Sequence, residues 1–168
     1  MKRKILISLL LIIATLLSLS SCDKGQRIEY CELGIILTKD FKSYDAEGSF
    51  SVAYSDGKTV VGISRFSFVD CEELGLPSTM TPLKLAEVYL ERMDLGADRG
   101  VESQGDVPYF TYTASSADGG LYFYMPTFYR TPYAYFVITF ITPAVRAAEA
   151  KAEYLGYIST AYILTQYL

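Results

Sequence analysis

The segment Leu121–Thr142 reads LYFYMPTFYRTPYAYFVITFIT and gives the clearest indication of the fold. Tyr, Phe, Thr and Val dominate it, and these residue types suit a pleated, half-buried surface. A turn near Thr131-Pro132 divides the segment, so the sequence predicts strands at 121–129 and 133–142. Because the turn between them is short, the two strands are expected to run antiparallel.

An earlier hairpin is predicted around Asp56-Gly57. The alternating Phe50, Val52 and Tyr54 precede this dipeptide, and an apolar run at 60–63 follows it. Asp-Gly between two strand-like runs is typical of a type I′ hairpin turn, which needs positive φ at both central positions.

The second strand of this hairpin has apolar residues on both faces. Val61 and Ile63 share one face, whereas Phe66 and Phe68 lie on the other. Either a bulge shifts the alternation or both faces of the strand are partly covered.

Two more strands and two helices complete the predicted elements. Leu33–Leu37 and 108–114 are strand-like, and Asp118-Gly119-Gly120 marks a turn. One helix begins at Thr81, with Pro82 at its first position, and Gly96 is placed to end it. The last helix is expected over 144–166. The apolar stripes expected on these helices are Leu83, Ala86, Leu90 and Met93 in the first and Val145, Ala148, Ala152, Leu155, Ile158 and Tyr162 in the second.

This order of elements predicts an α+β fold with a curved antiparallel sheet of about six strands and two main helices. The order β-β-β-α-β-β-β-α, over roughly 33–164, resembles the PsbP-like superfamily. That resemblance implies an α/β/α arrangement and, for most members, a non-catalytic accessory or binding role. It assigns no site residue to this chain.

The amino terminus predicts a lipoprotein. Basic residues at 2–4 precede an apolar run at 5–19, and Leu19-Ser20-Ser21-Cys22 resembles a lipobox. We therefore expect residues 1–21 to be a signal peptide, 22–32 to be a lipidated Cys22 with a short tether, and 33–168 to be one globular domain. The alternatives are an ordinary signal peptide or a signal anchor. The expected localisation is the extracytoplasmic face of a cell membrane.

Charge and length limit the possible partners. Removing residues 1–21 leaves 147 of the 168 residues, with 12 basic against 19 acidic side chains and a formal charge of −7. Such an acidic domain is poorly suited to phosphate backbones, so nucleic acid is not an expected partner. Membrane attachment would come from the lipid on Cys22.

Catalytic and metal motifs find little support. The chain has no His, which excludes Ser-His-Asp and Cys-His arrangements. Ser55-Asp56-Gly57-Lys58 matches a Ser-x-x-Lys spacing, but a hairpin turn is the better interpretation. Asp70, Glu72 and Glu73 are interpreted as a solvated acidic loop rather than as a cation site. No catalytic residue, metal ligand or cofactor is predicted.

Two cysteines remain once Cys22 is lipidated. Cys31 and Cys71 are a possible disulfide, because an extracytoplasmic location permits one. The alternative is a pair of unpaired thiols.

Tyrosine is unusually frequent, with 15 residues and no Trp. Cross-strand aromatic pairing explains many of them. The alternative is a tyrosine-lined surface that binds a glycan, a peptide or a partner protein. The residues of this possible binding patch are Tyr122, Tyr124, Tyr129, Arg130, Tyr133 and Tyr135.

The sequence thus predicts a membrane-anchored, non-catalytic binding or accessory lipoprotein. Its expected partners are an envelope protein or a small ligand. The alternative is a small hydrolase-like enzyme that uses carboxylates and tyrosines, which would need a carboxylate with a strongly perturbed pKa in a cleft.

Overall fold

The computed structural model describes residues 25–95, 100–116 and 119–167. The predicted signal peptide, Cys22, Gly96 and Asp118 lie outside the described residues. The described strands are β1 Gln26–Tyr30, β2 Leu33–Leu37, β3 Lys42–Ser43, β4 Val52–Ser55, β5 Val60–Ser67, β6 Glu102–Gln104, β7 Val107–Tyr109, β8 Tyr112–Ser115, β9 Leu121–Arg130, β10 Ala134–Pro143 and β11 Tyr162–Ile163. The described α-helices are α1 Phe68–Glu73, α2 Pro82–Arg92 and α3 Ala147–Ile158, with short 3-10 turns at Ala144–Arg146 and Thr165–Tyr167.

The large sheet is built around the predicted pair β9 and β10. Among the described residues it has eight strands in the order β3-β4-β5-β10-β9-β7-β6, and β8 also pairs with β9. Every described strand pair is antiparallel, which confirms the predicted α+β class, although the sheet exceeds the expected six strands. A smaller sheet has the order β1-β2-β11.

Apolar layers cover both faces of the large sheet. On one face Val61 and Ile63 pack with Phe136 against α3 and the small sheet. On the other face Phe66 and Phe68 pack in a second cluster with residues of α1 and α2. The pairing of β5 with β10 continues without interruption from Val60 to Ser67. Both faces of β5 are therefore covered, and no bulge is needed to explain its pattern.

The region expected to be a tether contains the first strand. β1 pairs with β2 along its whole length, and Ile28 is buried in the core. The predicted tether at 22–32 is thus wrong from Gln26 onwards, because one inward apolar residue and a neighbouring strand edge suffice to order this polar segment. The ordered domain begins before the predicted boundary at residue 33.

The Asp56-Gly57 hairpin is confirmed, but its turn differs from the expected type I′. Positive φ occurs at Gly57 and not at Asp56. The Asp56 carboxylate instead accepts hydrogen bonds from the backbone N–H of Lys58 and Thr59, at 2.8 and 2.7 Å. An Asx-type turn of this kind satisfies the loop without a second left-handed residue.

The acidic loop around Cys71 is helical, which corrects the predicted loop. Ser67 and Asp70 form a reciprocal capping box in which Ser67 Oγ accepts from the Asp70 N–H and the Asp70 carboxylate accepts from the Ser67 N–H. Such a box satisfies two of the otherwise unpaired donors at a helix start. Ser67 is therefore the N-cap of α1, and Asp70 completes its capping box.

The helix α2 begins as predicted, whereas α3 begins at Ala147, three residues after the expected start, because a 3-10 turn occupies Ala144–Arg146. Thr81 caps α2 and Pro82 is at its start. Of the expected stripe, Ala86 is buried and Leu90 and Met93 pack against the second cluster, whereas Leu83 is exposed. In α3 the buried residues are Ala150, Tyr154 and Ile158, whereas Val145 is almost fully exposed. Of the stripe expected in the last helix, Ile158 is therefore buried as predicted.

The last helix also ends eight residues before the predicted end at 166. After Ile158 the chain turns, and the Thr160 hydroxyl bonds both the N–H and the C=O of Ile36. Tyr162 then pairs with Gly34 in β2. The helix ends here because the open edge of β2 takes up the following residues.

Candidate functional site

One face of the large sheet is only partly covered by helices. α1 and α2 pack over the end that contains Phe128, Tyr135 and Val137. Further along the same face, the segment 44–50 borders the sheet instead of a helix. An open cleft of about 820 Å³ lies there. We call it the tyrosine cleft, and it is lined by Tyr44, Asp45, Ala46, Glu47, Ser49, Phe50, Val60, Ser116, Tyr122, Tyr124 and Ile141.

The floor of the tyrosine cleft is held by strand pairing. Tyr124 lies opposite Tyr112 of β8 on one side and Ile141 of β10 on the other. The Tyr112 and Tyr124 rings stack with centroids 4.8 Å apart and planes 6° apart. Burial raises the pKa of Tyr112 above its ordinary range, and the neighbouring phenols add to that shift. The Tyr112 phenol is therefore neutral at physiological pH.

Phe50 forms another wall because a glycine lies beneath it. A Cβ atom at Gly62 would overlap the Phe50 ring. Only glycine lets this ring lie directly on the β5 backbone, which is one reason for a glycine inside a strand.

The rim of the tyrosine cleft is acidic. Asp45 and Glu47 are exposed, and the Asp45 carboxylate accepts a hydrogen bond of 3.0 Å from the Glu47 N–H. Tyr44 is beside them with 48% of its surface exposed. Aromatic faces with carboxylates nearby suit ligands that present apolar surfaces together with hydroxyl or positively charged groups.

The structure divides the predicted patch. Tyr122 and Tyr124 line the tyrosine cleft, but Tyr135 is fully buried and the Tyr129 hydroxyl is also buried. Alternation along β9 places Tyr129 and Arg130 on opposite faces, so a single patch of all six residues is wrong.

Other residues of the predicted binding patch lie at the end of this sheet face that α1 and α2 cover. The Tyr135 hydroxyl bonds the carbonyl oxygens of Pro77 and Met80, at 3.0 and 2.9 Å. The Arg130 guanidinium donates to Ser78 O and lies over the Phe68 ring. These side chains hold the segment between α1 and α2 in place. Tyr133 is 55% exposed at the β9–β10 turn.

Sequence reasoning missed Tyr44, Phe50 and Tyr112. Tyr112 had a usable signal, because the turn predicted at 118–120 implies that the strand before it pairs with the strand after it. The contribution of Phe50 could have been suspected from the glycine in β5. Tyr44 had no such signal, because it follows the two-residue strand β3 in a polar segment.

The predicted disulfide is absent, since both described cysteines are free. Cys31 is exposed in the β1–β2 turn, where it has a φ of 51°. Cys71 is buried in α1, and burial raises the pKa of its thiol. Cys71 packs in the cluster beneath α1 and α2, whereas Cys31 lies in the turn of the small sheet, whose residues pack on the opposite face of the large sheet. This separation explains why the two cysteines do not pair.

The Ser-x-x-Lys spacing lies in the hairpin. Ser55 Oγ accepts a hydrogen bond from the Gly57 N–H at 3.0 Å. The serine therefore stabilises the turn. Among the described residues, no group of three or more His, Cys, Asp and Glu side chains could hold a metal ion.

Two carboxylates have a pKa below the ordinary range, and both lie outside the tyrosine cleft. The hydrogen bond from Arg65 lowers the pKa of Glu32, and that from Lys151 lowers the pKa of Glu102. A general acid at neutral pH needs a raised pKa instead. Both pairs join secondary-structure elements: Glu32 links the small sheet to β5, and Glu102 links β6 to α3.

In the described part of the chain, no helix combines the length and hydropathy needed to cross a membrane. No protein-family model matches the sequence, and no curated protein resembles it significantly.

Solved structures with similar folds exist. A protein from Bacteroides thetaiotaomicron VPI-5482 superposes with a TM-score of 0.58 at 15% identity, over 84% of this chain and 49% of that one. This chain therefore spans about half the length of that protein. The solution structure of cyanobacterial PsbP (CyanoP) from Synechocystis sp. PCC 6803 superposes with a TM-score of 0.50 at 10% identity, over 86% of this chain and 95% of that one.

The fold is PsbP-like. This agrees with the resemblance inferred from the order of elements. At such low identity a PsbP-like fold establishes the architecture, and the function has to be argued from the site.

Proposed function

We propose that this chain is a lipid-anchored extracytoplasmic protein with a non-catalytic binding or accessory role. We further propose that it binds its partner through the tyrosine cleft. The observation that carries the proposal is the part of a sheet face that no described helix covers, where Tyr122 and Tyr124 line the cleft and Tyr124 stacks on Tyr112. Aromatic side chains with polar tips are favoured at binding surfaces, because they combine a large apolar contact area with a hydrogen-bonding group.

The lipid anchor is supported by the amino-terminal sequence. The basic residues at 2–4, the apolar run at 5–19 and Cys22 after two serines together match a lipobox. β1 begins at Gln26, so the four intervening steps span at most about 14 Å. A diacylglyceryl group on Cys22 would therefore hold the domain close to the bilayer surface.

The accessory role is supported by the PsbP-like fold. The resemblance to the PsbP-like superfamily implies such a role for most members. The carboxylates with a perturbed pKa add to this argument, because each is paired with a cation that lowers its pKa.

The anchor is tested with a Cys22→Ala variant in the native host. Wild-type protein is expected in the membrane fraction and should incorporate a labelled fatty acid, whereas the variant should do neither. A Cys22→Ala protein that remains in the membrane fraction would contradict the lipobox.

The cleft is tested by a pull-down from native membranes after crosslinking. We expect a partner with the wild type that is lost with the double variant Tyr44→Ala and Tyr122→Ala. Tyr133→Ala is the matched control, because Tyr133 is 55% exposed against 48% for Tyr44 and lies outside the cleft. Thermal unfolding should show that all variants fold.

The two tests separate the parts of the proposal. If the control loses the partner and the cleft variant keeps it, the tyrosine cleft is not the binding surface. The anchor would stand independently of that result.

A further inference from the structure

A second cavity lies beneath α1 and α2, apart from the tyrosine cleft. It has a volume of about 200 Å³ and shares no lining residue with the cleft. Cys71, Tyr135 and Val137 contribute buried walls, and Leu85 is buried beside them. Tyr89 and Met93 line it from the side of α2, and the other lining residues are Phe66, Leu74, Leu76 and Arg92.

The interior of this cavity is uncharged at neutral pH. Burial raises the pKa of the Cys71 thiol, and the nearby Asp70 charge adds to the shift. Burial also raises the pKa of the Tyr89 and Tyr135 phenols. The Tyr135 hydroxyl is already bonded to the carbonyl oxygens of Pro77 and Met80. The lining therefore offers apolar and aromatic contacts to an occupant.

Arg92 supplies a positive charge at the mouth. Its Nη2 donates a hydrogen bond of 3.3 Å to the Leu74 carbonyl oxygen, and both residues are exposed. This bond holds the guanidinium beside the cavity. A guanidinium has five donors, so several remain for an anionic group.

The dimensions limit the occupant to a small molecule. An apolar cavity of about 150 Å³ is known to stay dry and to bind benzene. A cavity of 200 Å³ has room for an aromatic ring with a short side chain. Together, an apolar interior and one cation at the mouth are complementary to a ring that carries a carboxylate.

We propose that the cavity beneath α1 and α2 binds small aromatic monocarboxylates, with the ring inside and the carboxylate on Arg92. This site is additional to the tyrosine cleft and does not depend on the function proposed for it. A guanidinium can bind a carboxylate through two parallel N–H···O bonds, which gives selectivity over an alcohol.

The experiment is a titration of the full-length chain with three ligands that differ in charge: phenylpropionate, phenylpropanol and phenylpropylamine. Binding is followed by NMR of isotope-labelled methionine methyl groups. Met93 lines the cavity, whereas Met125 lies in the core on the opposite face of the sheet. We expect phenylpropionate to shift the Met93 signal and to leave that of Met125 unchanged.

Arg92→Gln tests the charge. Because Arg92 is exposed, its loss should weaken phenylpropionate binding about fivefold and leave phenylpropanol binding unchanged. Arg27→Gln removes an exposed charge away from the cavity and is the matched control. Cys71→Met should weaken the binding of all three ligands, because the larger side chain fills the cavity.

Three outcomes would overturn the proposal: an unmoved Met93 signal, alcohol binding as tight as that of the carboxylate, or unchanged phenylpropionate binding in Arg92→Gln. If Cys71→Met does not fold, the ligand series and the arginine pair still decide the question.

Discussion

Replacing Glu32 by glutamine is expected to loosen the connection between the two sheets. Glu32 lies in the β1–β2 turn, and its side chain is 5% exposed. It accepts two hydrogen bonds from Arg65 in β5, 2.9 Å from Nε and 2.7 Å from Nη2. Glutamine keeps the shape of the side chain but removes its charge and one acceptor.

The structure sets the size of the expected effect. Breaking a fully buried ion pair costs about 3–5 kcal/mol. The Arg65 side chain retains 26% exposure, so water can solvate part of the guanidinium after the change. We therefore expect Glu32→Gln to lower the free energy of unfolding by about 2 kcal/mol. In thermal unfolding this corresponds to roughly 6 °C for a domain of this size.

The assay is urea unfolding of the wild type, Glu32→Gln, Arg65→Met and the double variant. The coupling energy between the two sites should exceed about 1 kcal/mol. Glu87→Gln is the control, because the exposed Lys84–Glu87 pair contributes at most about 0.5 kcal/mol. A Glu32–Arg65 coupling no larger than this control would refute the reasoning.

The Glu32–Arg65 ion pair also predicts how the stability of the folded protein depends on pH. Arg65 lowers the pKa of Glu32 in the folded state, so its contribution is fully present above the ordinary pKa of 4.5. It is lost as the pH falls through the lower pKa of the folded state. The stability of Glu32→Gln should thus fall less steeply than that of the wild type as the pH decreases below 4.5. Parallel curves would contradict this.

Further predictions use other contacts. Gly62→Ala should destabilise the protein by about 1–3 kcal/mol, because the new methyl group overlaps the Phe50 ring. In contrast, Gly156→Ala should stabilise the protein by about 0.5–1 kcal/mol, because the new Cβ atom meets open space in α3. Among the described residues the buried Tyr129 hydroxyl has no hydrogen bond of good geometry, and Thr127 is the nearest candidate partner. Tyr129→Phe should therefore change the free energy of unfolding by less than about 1 kcal/mol. Tyr154→Phe should lower the free energy of unfolding by about 1 kcal/mol, because it removes the buried hydrogen bond to a threonine hydroxyl. In the native protein a maleimide should label the exposed Cys31 quickly and the buried Cys71 slowly; equal rates would contradict the burial of Cys71.

The sequence predicted those features of the fold that depend on residues close together along the chain. The Tyr, Phe, Thr and Val residues that dominate 121–142, with the turn near Thr131-Pro132, predicted β9 and β10, because these residue types suit a pleated surface. Thr81 and Pro82 predicted the start of α2, since capping and proline effects are confined to the first turn. The order of elements in turn pointed to the PsbP-like fold.

The helical stripes show where local reasoning fails. Leu83 and Val145 were expected to be buried and are exposed, whereas Tyr154 is buried. α3 is rich in alanine, so its faces differ little in hydrophobicity. The position of the sheet decides which face of such a helix is buried.

The amino-acid sequence by itself determined the long strands β5, β9 and β10, the hairpins that they form, the start of α2 and the acidic, tyrosine-rich character of the chain. Only the tertiary structure decided which tyrosines lie in an open cleft and which lie in the core. Tyr124 and Tyr135 belong to adjacent strands and face the same side of the sheet. α1 and the segment before α2 cover Tyr135, while Tyr124 remains in the cleft. That difference arises from segments distant in sequence, and strand alternation carries no information about them.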